Sequence, residues 1–314
     1  QALDETKNNY LMGIVYLADK MGVSVADITT GDFLVTEVST DRALFDEINK
    51  FSPAEVICND AFSMSGISLE DLKDRYHFTV SALDSHFFQD DSCRKVLREH
   101  FKVGSLEGLG LGDYDCGVIA AGAVLQYLYE TQKSTLDHLT TIVPYATGNY
   151  MVLDSSTRRN LELLETMREK QKRGSLLWVL DKTRTAMGAR LLRTWIEQPL
   201  ISREEILKRQ NAIEELNLNY ISREELGEYL NPVYDLERLI GRISYKTANP
   251  RDLLAFRNSI AMVPHIKRLL CEFTSDALKE LEQELDPLED LEDLITRAIV
   301  EEPPITVREG GMIR

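Results

Sequence analysis

The sequence lacks several features that would place it in a specialised class of protein. No apolar run approaches the roughly 18 residues that cross a bilayer, and the polar stretch 1–9 has no apolar signal-peptide segment. The cysteines Cys58, Cys93, Cys116 and Cys271 form no CxxC pair, so we expect reduced, mostly buried thiols and neither a zinc site nor a redox centre. These absences predict a cytoplasmic protein with no membrane partner.

Positive charge is also scarce. The 36 lysines and arginines against 52 acidic residues leave a net charge of −16, which argues against the whole chain binding duplex DNA. The deficit is uneven, because residues 1–150 carry 11 basic and 23 acidic side chains, whereas residues 151–271 carry 21 basic and 16 acidic ones. The second block could form a contact surface, but solvated helix faces give the same pattern and are the favoured interpretation.

Motifs that usually carry catalysis are absent as well. The sequence has no GxxxxGK[ST] phosphate loop and no GxSxG, so we predict no catalytic residue, no bound nucleotide and no other cofactor. The glycines at 108–112 lack GxGxxG spacing, which favours a flexible linker over a dinucleotide turn. His86, Cys93 and His100 are spaced by seven and would share a face of one helix. The interrupted pattern between them favours ordinary packing over a metal site.

The first part of the chain has the pattern of an α/β domain. Hairpin-type strands followed by alternating strands and helices predict a mixed sheet flanked by helices. A turn is expected at 29–32, and Ser39 or Thr40 is expected to cap the first helix. The predicted strands are 10–17, 23–28, 33–38, 55–58 and 77–80, and the predicted helices are 41–50, 69–75, 92–101 and 117–130.

Beyond a boundary at 131–148 the pattern becomes almost wholly helical. Pro199 is expected to end a helix at 190–197, and Pro250 to begin the helix at 251–262.

Two capping boxes predict further helix starts in this part. Ser202 pairs with Glu205 and Ser222 with Glu225, each spaced so that the serine and the glutamate can satisfy free amides. One buried helix face is predicted from i, i+3, i+4, i+7 spacing at Leu236, Leu239, Ile240 and Ile243.

Asp27 has the strongest case for metal chemistry. It lies near the end of a predicted strand, where ribonuclease H-type nucleases hold Mg²⁺ with an aspartate. Such a nuclease needs further carboxylates converging on two ions about 4 Å apart, for which Asp60, Asp113 and Asp115 are candidates. An acidic hairpin turn also accounts for Asp27 and is favoured. A metal-dependent nuclease therefore remains the alternative function.

Basic residues are densest at Arg158, Arg159, Lys170, Lys172 and Arg173. If one helix runs through them, positions 158 and 172 lie near one face about 21 Å apart along the axis. Weak contacts to duplex phosphates are then expected from Arg158, Lys172 and Arg173. A solvated face with i, i+4 ion pairs is the favoured alternative, and it would use Glu162, Glu165 and Glu169.

Several motifs resemble the MutS family of DNA mismatch-repair ATPases, over essentially the whole chain. Two stretches, NNYLMGIVYLADKMGVSVADITTGDF at 8–33 and GSLEGLGLGDYDCGVIAAGAVLQYLYETQ at 104–132, resemble the two ends of the family's connector domain. Four others resemble its core domain: DSSTRRNLEL at 154–163, LDKTRTAMGARLLRTWIEQPL at 180–200, DLERLIGRIS at 235–244 and NPRDLLAF at 249–256.

The resemblance implies a fold that is α/β followed by all-α. A ribonuclease H-like connector domain without nuclease activity is expected at 1–132, a linker at 133–150, and a helical core domain at 151–314 that is truncated before the family's clamp. The family's Phe-x-Glu mismatch-reading domain and its ATPase domain have no counterpart in the sequence.

The resemblance also implies a role. We expect a non-catalytic fragment that couples mismatch recognition to the ATPase and offers a docking surface for a MutL-like partner. ATP, Mg²⁺, mismatched duplex DNA and the homodimer are expected in the full-length family alone. The residues that match the start of the core are expected to orient helices at the junction: Asp154, Thr157, Arg159, Asn160 and Glu162.

Overall fold

The computed structural model describes residues 5–132, 135–148, 150–304, 308 and 310–314. The chain divides into two compact units. The first, here called the sheet unit, comprises residues 1–178 and 196–198, and the second, the helical unit, comprises 179–195 and 199–314. Within the described part, no helix is long and apolar enough to cross a membrane.

The sheet unit is built on a mixed six-stranded sheet. Its first three strands form two antiparallel hairpins, and the later strands run parallel to their neighbours. The strand order is β5-β4-β1-β2-β3-β6. The strands are β1 Leu11–Leu17, β2 Lys20–Asp27, β3 Asp32–Val38, β4 Glu55–Cys58, β5 Thr79–Ala82 and β6 Val143–Pro144.

The helices of this unit confirm the predicted α/β pattern. Thr40, one of the two residues predicted to cap the first helix, does so by accepting a hydrogen bond from the Ala43 amide. The helices are α1 Asp41–Phe51, α2 Asp60–Ser63, α3 Leu69–Tyr76, α4 Asp90–Phe101, α5 Cys116–Gln132, α6 Ser155–Asn160 and α7 Leu176–Leu180, whose last two residues belong to the helical unit.

Two local predictions need correction. The strand expected at 77–80 begins two residues later, because His77 adopts a left-handed conformation that ends α3. The segment at 108–112 is not a flexible linker. Leu106 and Leu111 are buried, and the Leu111 amide donates to the Leu106 carbonyl at 3.0 Å, so the segment is a packed turn.

Packing in the sheet unit centres on α5. Residues 116–125 are all buried, since the sheet covers one side of the helix and α4 covers another. A Cβ atom on Gly22 would lie 2.0 Å from the Cys116 carbonyl oxygen, and one on Gly122 would lie 2.3 Å from the Cys93 Cβ atom. Glycine is therefore required at both approaches. The three cysteines of this unit are buried, as predicted, while Cys271 is exposed.

The helical unit has two small hydrophobic cores. Ala212, Ile266 and Leu270 belong to one, and Leu239 and Phe256 to the other. The remaining helices are α8 Ala186–Glu197, whose last two residues belong to the sheet unit, α9 Arg203–Leu218, α10 Tyr220–Leu230, α11 Leu236–Ser244, α12 Pro250–Ile260, α13 Val263–Leu270, α14 Asp276–Glu284 and α15 Glu289–Ala298.

The structure confirms some of the helix starts predicted for the helical unit and contradicts one. Ser202 caps α9, accepting from the Glu205 amide at 3.4 Å, and Pro250 begins α12. The predicted cap at Ser222 is wrong, because α10 begins at Tyr220, two residues before Ser222, and its cap is Asn219. Ser222 lies inside the helix and donates its hydroxyl to Glu272 instead.

The predicted buried face of α11 is partly wrong. Leu239 is buried, but Ile240 and Ile243 are 39% and 36% exposed. The contacts of α11 with α12 cover Leu239 and leave the edge of the apolar face at the surface. Residues 305–307, in the extended stretch expected near the C-terminal end, lie outside the described residues.

A buried arginine ties α8 to α11. Arg190 is 4% exposed and donates to both carboxylate oxygens of Asp235, at 2.6 and 2.9 Å, and also to Glu237. Burial alone would raise the pKa of Asp235, but hydrogen bonds and charge from Arg190 hold it below its usual value. Removing one member of such a pair leaves a buried charge uncompensated, which typically costs about 3–5 kcal/mol.

We predict that Gly22→Ala lowers the free energy of unfolding of the sheet unit by at least about 2 kcal/mol, because the new methyl group meets backbone atoms that cannot rotate away. Urea denaturation of the full chain measures the loss. Gly104→Ala is the matched control, since nothing lies within 4 Å of its added Cβ atom. Equal stability of the two variants would contradict the required close approach.

We predict that Asp235→Asn weakens hydrogen-exchange protection in α11 by about 3 kcal/mol near neutral pH. The folded pKa of Asp235 lies below its ordinary value of 3.8. Its contribution is therefore present above that value and is lost as the pH falls through the lower, folded pKa. The difference between wild type and variant should shrink on acidification. Asp293→Asn, in an exposed ion pair, is the control, and a pH-independent difference would contradict this account.

Candidate functional site at the 145–198 junction

The segment that follows β6 is fixed along the sheet unit. The Tyr145 amide donates to the Val35 carbonyl at 3.0 Å, and the Thr36 hydroxyl donates to the Tyr145 carbonyl at 2.7 Å. Further along, the Asn49 side-chain amide of α1 donates to the Leu153 carbonyl at 3.0 Å. These bonds hold both ends of the segment that leads into the predicted core motif.

Lys50, in the last turn of α1, is enclosed by aromatic rings. Its ammonium nitrogen lies 5.0 Å from the ring centre of Phe51, 4.5 Å from that of Tyr145 and 5.1 Å from that of Tyr150. The side chain is only 12% exposed. Cations over ring faces are attracted by the ring quadrupole, and more strongly when removed from water. Lys50 therefore fastens the 145–150 segment to α1.

Glu47 provides the counter-charge for Lys50. Its carboxylate lies 3.7 Å from the Lys50 ammonium nitrogen and accepts the Tyr145 hydroxyl. Burial raises the pKa of Glu47 and lowers that of Lys50, and their mutual attraction opposes both shifts. Both groups are buried charges whose removal from water is compensated by the other and by the tyrosine hydroxyl.

Arg158 makes the second attachment. Its Nε atom donates to the Leu153 carbonyl at 2.9 Å, and its Nη2 atom donates to the Glu197 carbonyl at 2.9 Å. The Nη1 atom lies 3.7 Å from a carboxylate oxygen of Glu197, and both side chains are nearly buried. Arg158 thus joins two stretches of chain, the segment 153–158 and the end of α8, because Glu197 follows it by 39 residues.

A cavity of about 250 Å³ lies between these attachments. Each cation in its lining is paired with a carboxylate, Lys50 with Glu47 and Arg158 with Glu197. Because these charges compensate one another, the arrangement serves to join segments of chain. The charged lining residues are Asp46, Glu47, Lys50, Arg158 and Glu197.

The five predicted junction residues are not gathered into one cluster. Asp154 caps α6 by accepting the Thr157 amide at 2.7 Å, and this bond lowers the Asp154 pKa. Arg159 and Asn160 are exposed. Glu162 has a φ of 47° and accepts the Met167 amide at 2.8 Å, which starts a loop. An orienting role for these residues stays a prediction.

Residues that sequence reasoning missed do most of the joining. Asn49 and Lys50 lie in none of the quoted motifs, Glu197 lies in the motif at 180–200 without a predicted role, and Arg158 was predicted for a different role. The spacing between Arg158 and Glu197 gives no local signal, because the contact depends on the folded chain.

The single helix assumed through positions 158–172 is wrong. The helix α6 ends at Asn160, and the chain turns at Glu162 and folds back. Arg158 points inward, whereas Lys172 and Arg173 are exposed on the loop that follows. Contact of these residues with DNA stays a prediction, for which the inward Arg158 is poorly placed.

The structure gives the nuclease alternative no support. The Asp27 carboxylate is fully buried and accepts four hydrogen bonds, from the Asn8 side chain, the Asn9 amide, and the amide and hydroxyl of Thr29. These donors occupy the oxygen atoms that a metal ion would need. Asp27 is part of a hairpin turn, closed by the Gly31 amide bonding to its carbonyl.

The other metal candidates are also dispersed. Asp60 begins α2, and Asp115 lies 3.8 Å from Arg94. Asp113 is exposed. Across the described ranges, no group of three or more His, Cys, Asp or Glu side chains could hold a metal ion.

His86, Cys93 and His100 do not share one helix. His86 lies in a 3-10 turn, Ser85–Phe88, that precedes α4. The Cys93 thiol donates to the Phe87 carbonyl, and His100 contacts the Tyr129 hydroxyl.

Comparison with known proteins fits the order of the two units. A family model described as MutS domain II matches residues 9–140, and one described as MutS domain III matches residues 156–314. The chain belongs to the MutS family. DNA mismatch repair protein MutS of Lachnoclostridium phytofermentans is 60% identical over 314 residues, which cover 100% of this chain and 34% of that protein.

Two other relatives are similar over almost the whole chain. The MutS proteins of Ruminiclostridium cellulolyticum and Acetivibrio thermocellus are 45% and 44% identical over 315 residues, covering 99% of this chain. This MutS-family chain spans about a third of their length, 36% in both cases. The predicted division at 133–150 stays a prediction, since the family matches and the compact units divide the chain at different places.

We predict that Arg158→Lys destabilises the junction by about 2 kcal/mol, because one ammonium group cannot replace donors directed at two carbonyls. Hydrogen exchange of amides 153–163 and urea denaturation measure the effect. Arg159→Lys is the matched control, since the neighbouring arginine is exposed. If both variants behave alike, Arg158 does not hold the junction.

Proposed function

We propose that this chain forms the connector and core regions of a MutS mismatch-repair protein and that it is not itself catalytic. It would carry conformational changes between the DNA end and the nucleotide end of the full-length protein. The connector would offer a docking surface to a MutL-like partner. The observation that carries this proposal is the pair of family matches in the order domain II, then domain III.

The junction supports a transmitting role. A displacement passes along a chain only if its segments move together, and the bonds of Asn49, Lys50 and Arg158 fasten the start of the domain III match to the sheet unit. Residues 156–178 would therefore move with the sheet rather than independently of it.

The sheet supports a finer assignment. Three antiparallel strands, β1 to β3, precede two strands parallel to β1 on its other side, with helices packed on the sheet. We assign it a ribonuclease H-like fold that lacks nuclease activity. We also assign the full-length protein to the cytoplasm, with ATP, Mg²⁺, mismatched DNA and a homodimer as properties of the longer chain.

The full 314-residue chain should hydrolyse no ATP, because the sequence has no P-loop. It should bind matched and mismatched duplexes equally, and purified MutL of a related clostridium should retain it in a pull-down that unlabelled chain competes away. A phosphate-release assay and fluorescence anisotropy complete the test. Measurable ATP turnover would overturn the non-catalytic assignment. Selective binding of the mismatched duplex would overturn the transmitting role, because the chain would then recognise the mismatch itself. Failure to bind MutL would overturn the docking assignment.

A further inference from the structure

The segment 164–175, LETMREKQKRGS, is a fixed loop and not part of a helix. We call it the basic loop. Its two ends are joined by backbone hydrogen bonds, from the Leu176 amide to the Glu162 carbonyl at 3.0 Å and from the Leu177 amide to the Leu163 carbonyl at 2.9 Å. Because Leu163 and Leu177 are both buried, the base of the loop is anchored in the sheet unit.

Internal bonds hold the rest of the loop. The Thr166 amide donates to the Gln171 carbonyl at 2.9 Å, and the Lys170 amide donates back to the Thr166 carbonyl at 3.2 Å. Ser175 is buried, and its hydroxyl donates to the Lys172 carbonyl at 2.6 Å. The loop is therefore a preorganised platform for the residues at its tip.

The tip concentrates positive charge. Four cations, Arg168, Lys170, Lys172 and Arg173, lie within six residues, and all four are exposed. Two acidic residues, Glu165 and Glu169, share the loop. The chain as a whole carries −16, so a positive platform of this kind marks where a polyanion could approach.

The glutamates near the basic loop neutralise its cations less than they would on a helix. On a helix, Glu162, Glu165 and Glu169 would face these cations at i, i+4 spacing. In the folded chain, the Glu162 carboxylate accepts a hydrogen bond from the Met167 amide. Glu165 and Lys170 form an ion pair at 3.6 Å, but their side chains are 53% and 60% exposed, and ion pairs this exposed contribute little free energy.

We propose that the basic loop contacts the phosphate backbone of duplex DNA without reading its sequence. Exposed cations on a fixed backbone suit a rigid polyanion, since duplex DNA carries one charge per roughly 1.7 Å of axis. A flexible acidic peptide would lose conformational entropy on binding the same cations. This inference rests on the proposed function. The DNA contacts expected from the sequence were Arg158, Lys172 and Arg173, and here Arg168 and Lys170 take the place of Arg158.

The test compares the 314-residue chain with two double variants, using fluorescence anisotropy on a fully paired duplex of about two helical turns. Four phosphate contacts predict a slope of about −3.6 in log affinity against log salt. Lys172→Ala with Arg173→Ala should flatten the slope by about 2 and weaken binding about tenfold or more at low salt. Lys73→Ala with Lys95→Ala removes the same charge from exposed sites and should leave both unchanged.

Several results would overturn the proposal: no binding to the duplex at low salt, an equal loss in both double variants, or tighter binding of polyglutamate than of duplex through the loop. Circular dichroism checks that each variant folds. Binding to MutL separates this proposal from the proposed function. If the chain binds MutL but the basic loop does not bind DNA, the loop proposal is wrong and the proposed function is unaffected.

Discussion

An arginine removed from water must have its donors satisfied by the protein, and Arg158 meets that requirement from two directions. One donor reaches the carbonyl of Leu153, five residues earlier, and another reaches the carbonyl of Glu197, far along the chain. The donors of the guanidinium are therefore satisfied only when the segment 153–158 and the end of α8 are in place together. The rest of the junction depends on this contact, since the position of residues 153–158 also decides where Asn49 finds its acceptor.

The helical unit uses the same physical device with a different partner. Arg190 is paired with two carboxylates, whereas Arg158 relies mainly on backbone carbonyls. Carbonyl acceptors do not titrate, so the Arg158 contacts should resist acid, while the pairing of Asp235 depends on its ionised form. Each unit is thus stabilised internally by its own buried arginine, and the contacts of the two arginines differ in their response to pH.

Sequence patterns predicted those parts of the fold that depend on neighbouring residues. The turn before Asp32, the cap at Thr40 and the helix start at Pro250 are local, and the structure confirms them. The failures depend on distant contacts. Glu162 has a positive φ where its carbonyl accepts a hydrogen bond from the Leu176 amide, fourteen residues later. Single-sequence periodicity cannot show such a pairing, which is why a helix was expected through the basic loop.

The role of a charged residue depends on the backbone that carries it. Glu162 would neutralise a cation on a helix, but in the loop it bonds to an amide and leaves the cations at the tip with fewer counter-charges. Contacts to phosphates orient a protein on DNA and carry no sequence information. A loop of this kind would therefore bias the orientation of the sheet unit toward DNA without selecting a site. That property fits the transmitting role that we propose, in which recognition of a mismatch would depend on residues outside the basic loop.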